Sequence, residues 1–140
     1  MLKLIRARKK GEKGQALVEF ALLVPIFLVL LFAIIDFGMG FYSWISVTNG
    51  AREGARLGAV LATQTQIEDR VYQTVNLPDE GTKMTVTVTN AQGQPGESVV
   101  VKVDYDYDLI TPLAGIVSFM SGNVIGPTLT FSSTAEMRLE

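Results

Sequence analysis

The side chains that could do chemistry in this sequence are carboxylates. Asp104, Asp106 and Asp108 alternate with tyrosines along a valine-rich stretch, and a strand would hold them on one face about 7 Å apart. Oxygen donors of this type suit calcium. No glycine-turned ligand loop accompanies them, so we read them as an acidic solvent face that discourages unwanted edge pairing and assign no metal. A glycosidase pair is not read from them either, because isolated acids occur in any soluble domain. Glu19 is different, since it lies in the first turns of an apolar run, where a carboxylate is costly and rarely without a partner. The alternative is a shallow glutamate reaching back to the headgroups. The sequence has no Cys and no His. That removes thiol nucleophiles, disulfides, the usual zinc sites, Ser-His-Asp triads and imidazole acid–base chemistry. We expect no catalytic residue, no cofactor, no small-molecule substrate and no enzyme; a membrane-bound hydrolase would need a pocket built without His or Cys.

The elements that position these residues begin with a membrane span. Residues Ala16 to Ile35 read ALVEFALLVPIFLVLLFAII, with Glu19 as the one charge. A helix needs about 20 apolar residues to cross about 30 Å of hydrocarbon, and membrane helices tolerate a proline such as Pro25. Lys3, Arg6, Arg8, Lys9, Lys10 and Lys13 precede the span, and Asp36 is the first charge after it. By the positive-inside rule the N-terminus is cytoplasmic and the chain beyond Asp36 is exported. A cleaved secretory signal is the competing reading, but its apolar core is shorter and ends at small residues. No second basic patch follows the leader, so nucleic acid is not an expected partner.

At 140 residues the chain holds one domain and an anchor. We divide it into a basic cytoplasmic leader (1–14), a long helix (15–62, transmembrane over about 16–36) and an exported α+β domain (63–140). Gly50, Gly54 and Gly58 recur every four residues, with Ala51, Ala55 and Ala59 beside them, so one helix face is nearly bare. Each glycine costs about 1 kcal/mol relative to alanine, a penalty that close packing offsets. The packing partner is either another membrane helix or the protein's own sheet. Arg52 and Arg56 lie one turn apart, and Glu53 can pair with Arg56. They form either a solvated face or an intersubunit or headgroup-level contact.

A second helix is predicted over Thr65 to Asn76, with Ile67, Val71 and Val75 on one face, ending at Leu77-Pro78-Asp79-Glu80-Gly81. Alternation then predicts strands over Lys83 to Asn90, Ser98 to Asp108 and Thr128 to Leu139. Ala91 to Gly96 is a turn, and Thr111 to Gly122 is an apolar connection of undecided type. The fold class is α+β: a long N-terminal helix continuing into a short helix and a small antiparallel sheet packed on its outer half.

Three blocks carry a family resemblance. Gly14-Gln-Ala-Leu-Val-Glu-Phe-Ala-Leu-Leu-Val-Pro, Ile35-Asp-Phe-Gly, and Thr48-Asn-Gly-Ala-Arg-Glu-Gly-Ala-Arg-Leu-Gly-Ala59 together resemble TadE-like pseudopilins of the Tad (Flp) type IV pilus system. The resemblance implies cleavage by a prepilin peptidase between Gly14 and Gln15, and a role for Glu19 in subunit assembly. Phe20 stands where major Flp pilins usually have tyrosine, which points to the TadE-like branch. The implied protein is a minor pilin, with other pilins and the Tad assembly machinery as partners, located in a bacterial-type cytoplasmic membrane or in a surface pilus. The alternative is a permanently anchored exported binding module, neither processed nor polymerised.

Overall fold

The computed structural model describes residues 9–122, 126 and 128–140, with side chains from Gly14 onward. Lys3, Arg6 and Arg8 of the basic leader lie outside the described residues. The chain forms a 50-residue helix α1 (Lys9–Gly58), α2 (Gln64–Thr74), a single turn α3 (Glu80–Lys83), β1 (Met84–Thr89), β2 (Ser98–Asp108), α4 (Leu113–Met120) and β3 (Thr128–Arg138). The strands make one antiparallel sheet in the order β1-β2-β3. The fold is thus the α+β arrangement expected, with the sheet and α2 packed on the second half of α1.

α1 has two halves with opposite surroundings. Its first half is long and apolar enough to cross a membrane, and the most apolar stretch has no buried residue. From Asp36 onward, every third or fourth residue is buried: Asp36, Gly40, Ser43, Val47, Gly50, Ala51, Gly54, Ala55 and Gly58. This 3.6-residue period marks a helix with one covered face. α1 ends at Gly58, four residues before Ala62. Leu61 takes a positive φ of 60°, and the backbone oxygen of Ala59 accepts the Glu140 N–H at 3.1 Å, so the chain turns where its C-terminus ties in.

α2 starts at a capping box. Thr63 Oγ1 accepts the Gln66 backbone N–H, and the Gln66 side chain accepts that of Thr63, which satisfies two donors that a helix start leaves open. Ile67 and Val71 are fully buried, and Val75 at the C-cap is 2% exposed. β2 is the central strand, and Val99, Val101, Val103, Tyr105 and Tyr107 all face the core. The undecided connection after β2 contains α4. It carries no charge and no buried side chain, so neither a charged turn nor a one-sided apolar period marked it as a helix in the sequence.

Candidate functional site

Gly14, Gln15, Glu19 and Phe20 sit together on the exposed N-terminal part of α1. Gln15 Nε2 donates to Glu19 Oε1 at 3.0 Å, one helical turn away. Among the described residues a Cβ added at Gly14 would meet nothing within 4 Å, so packing against them does not explain a glycine there. Phe20 is 66% exposed. The surroundings of this cluster within the described residues are therefore only its own helix.

The glycines of the second half are placed otherwise. A Cβ at Gly50 would fall 2.5 Å from Val75 Cγ2, at Gly54 2.7 Å from Val71 Cγ2, and at Gly58 3.0 Å from both Val99 methyls. The bare face packs on α2 and β2 of the same chain, so of the two partners left open by the spacing it is the intramolecular one that occupies it. Backbone proximity replaces side-chain volume, and Val47, Ala51 and Ala55 complete the surface that the valines of α2 and β2 pack on.

The charged residues on the same turns look outward. Glu53 pairs with Arg70 of α2 at 2.6 Å and only loosely with Arg56 at 3.8 Å. The hydrogen bond from Arg70 holds the Glu53 carboxyl below the usual carboxylate range. Spacing had pointed to Arg56 alone, because a partner 17 residues away on another helix is invisible to an i, i+3 rule. Arg52 and Arg56 are exposed.

Asp36 is the residue whose role the sequence concealed. It is 2% exposed. Its Oδ1 accepts the backbone N–H groups of Ile110 (3.0 Å) and Thr111 (3.3 Å), and its Oδ2 accepts the Thr111 hydroxyl. The Tyr107 hydroxyl donates to the Asp36 backbone oxygen at 3.4 Å. A charged acceptor with three donors is among the stronger hydrogen-bonded arrangements. It latches the end of β2 to the helix at the point where the apolar run stops. Burial, reinforced by the Asp36 charge, pushes the Tyr107 phenol up.

The three alternating aspartates do share one face of β2, but β2 is central rather than an edge, so they do not guard an edge. Each is engaged across or along the sheet. Asp104 pairs with Lys102 at 2.8 Å, Asp106 accepts the Thr130 hydroxyl at 2.7 Å, and Asp108 accepts the Thr128 hydroxyl and pairs with Lys83 at 3.1 Å. Lys102 pulls the Asp104 carboxyl below its ordinary range, and Thr128, then Lys83, do the same for Asp108. Among the described residues no group of three or more potential ligands is arranged to hold a metal ion.

The decisive arrangement is a bare apolar helix that begins at Gly14 and Glu19, is latched at Asp36 and has a glycine face beyond it. Residues 14–56 match the family model of the TadE-like proteins. The matched segment covers less than a third of the chain and takes in Gly14, Glu19, Asp36, Gly50 and Gly54. No curated protein and no solved structure matches the chain. The TadE-like segment is almost all of α1; α2, the sheet and α4 lie outside it. Among the described residues the long apolar helix fits a single-pass membrane protein.

Proposed function

We propose that the protein is a minor pilin or pseudopilin of a Tad-type pilus, inserted with its N-terminus in the cytoplasm, cleaved by a prepilin peptidase between Gly14 and Gln15, and then assembled through its apolar half-helix. The observation that supports this reading is the TadE-like segment, whose first half has no buried residue while its second half lays one face on the domain. An uncovered helix of this kind is stable in lipid and equally in a bundle of like helices, so transfer from one to the other keeps its apolar surface out of water. Glu19 would then pair with the new N-terminal amine of a neighbouring subunit. A buried ion pair sets register more dependably than it adds stability. The open space around Gly14 favours a recognition role for that glycine, since no described residue packs against it.

The test is the mass and N-terminal sequence of the protein made with its neighbouring secretion genes intact. A chain starting at Gln15, together with loss of filament incorporation in Glu19→Ala, is the expected result. An intact Met1 or Leu2 start, with Glu19→Ala behaving as the parent, sinks the proposal and leaves a permanently anchored binding module.

A further inference from the structure

We infer that α4 and the aromatic face of α1 just beyond Asp36 lie against the phospholipid surface, so that the folded domain is itself held on the membrane it is anchored in. The inference rests on the membrane-spanning reading of α1. A 20-residue run ending at Ile35 fixes Asp36 near the level where hydrocarbon gives way to headgroups. At that level the Asp36 carboxylate holds the backbone N–H groups of Ile110 and Thr111, and Thr111 Oγ1 in turn accepts the Leu113 N–H at 3.2 Å. The start of α4 is thereby pinned beside the exit of the span.

What is pinned there is unusually apolar. α4 has neither a charged nor a buried residue, and Phe119 and Met120 are 87% and 80% exposed. The whole stretch from Leu109 to Ala135 contains no Asp, Glu, Lys or Arg. Beside Asp36, the exposed face of α1 continues without a break from Ile34 to Phe37 and Phe41, which line an apolar groove of about 390 Å³ with Leu129 and Phe131. Gly40 keeps this groove open to Phe131, whose ring lies 3.3 Å from where a Cβ would sit. At about 1.5 Å of rise per residue, Phe41 lies only about 8 Å beyond Asp36, within the headgroup layer. Tyrosine and tryptophan accumulate at that depth, and Tyr42 and Trp44 are exposed on the same turns.

An exposed apolar helix next to an exposed apolar groove calls for a cover. The bilayer is the occupant the observations favour, because the span already brings it to this face and no additional partner has to be recruited. A second protein chain would be oriented by charges around its rim, and the 27 residues from 109 to 135 offer none.

The sequence has one tryptophan, Trp44, so a probe can be moved cleanly. The full chain carrying Trp44→Phe and Phe119→Trp is reconstituted in vesicles of phosphatidylethanolamine and phosphatidylglycerol containing lipids brominated either high or low on the acyl chain. Met120→Trp serves as the second probe and Phe27→Trp as the control within the span. The expected result is that the probes at 119 and 120 lose most of their emission to the high bromines and resist aqueous iodide. Probes quenched by iodide and untouched by bromine would overturn the inference. Probes shielded from both quenchers would overturn it in favour of a second protein chain on this face. If the probe at position 27 also escapes the low bromines, the span itself is refuted and the inference falls with it, a failure distinct from the other two.

Discussion

The two halves of α1 are both apolar and both helical, yet they obey different packing rules. Between Gly14 and Ile35 large side chains such as Leu22, Phe27 and Leu30 project on all sides and touch little but their own helix. Between Asp36 and Gly58 one face is buried, and from Val47 on its residues shrink to Val, Ala and Gly, while Phe37, Phe41 and Trp44 stay exposed on the other side. A helix that meets fluid lipid or exchangeable partners needs apolar surface without shape. One that closes a domain core needs shape, and here it is supplied by removing side chains so that Val71, Val75 and Val99 can enter. Asp36 stands at the border and faces the domain side. It is the place where one helix changes from anchor to core element.

The largest expected effect breaks that border. Asp36→Ala leaves two backbone N–H groups and the Thr111 hydroxyl without their acceptor in a part-buried position. We expect a loss of roughly 3 kcal/mol, seen as a lower unfolding midpoint of the full chain in detergent. Asp36→Asn, which keeps one acceptor oxygen, should recover part of it. An unchanged midpoint for Asp36→Ala would mean that the latch contributes nothing.

A matched pair of substitutions sharpens the difference between the halves. Gly54→Val adds three carbons where even a Cβ would stand 2.7 Å from Val71 and 3.2 Å from Val101, and overpacking of this kind costs about 1–3 kcal/mol. Gly14→Val enters open space and should leave the midpoint where it was. Equal effects at the two positions would show that the glycine face does not depend on packing.

The smallest effect is that of pH on the domain side. Glu53, Glu97, Asp104 and Asp108 are held below their ordinary values by Arg70, the Gln94 backbone, Lys102 and Thr128 respectively. A carboxylate whose folded pKa is lowered gives its stabilisation in full above the unfolded value, near pH 4, and loses it as pH falls through the folded one. Lys83, raised chiefly by Asp108, acts in the opposite sense: its contribution is complete below its unfolded value and disappears as pH rises through the folded one. Acid titration followed by circular dichroism should therefore loosen the sheet first. Asp108→Asn should flatten both ends of the profile slightly, and a profile identical to the parent would argue that these pairs are too well solvated to matter.

Local pattern carried much of this molecule into view. The apolar run, the period-2 alternation of β1 and β2 and the helical spacing of Ile67, Val71 and Val75 are each written within one element, and the structure follows them to within a few residues. The same pattern put Asp104, Asp106 and Asp108 on one face, because strand geometry alone decides that. It missed the central position of β2, the pairing of Glu53 with Arg70 and the latch at Asp36, whose partners lie 17 to 75 residues away. The sequence by itself determined a span, its expected direction and the existence of a bare glycine face. Only the tertiary structure decided which surface fills that face and that the first charge after the span turns inward, since hydropathy and period depend on neighbours in the chain while packing and buried hydrogen bonds depend on which distant segments meet.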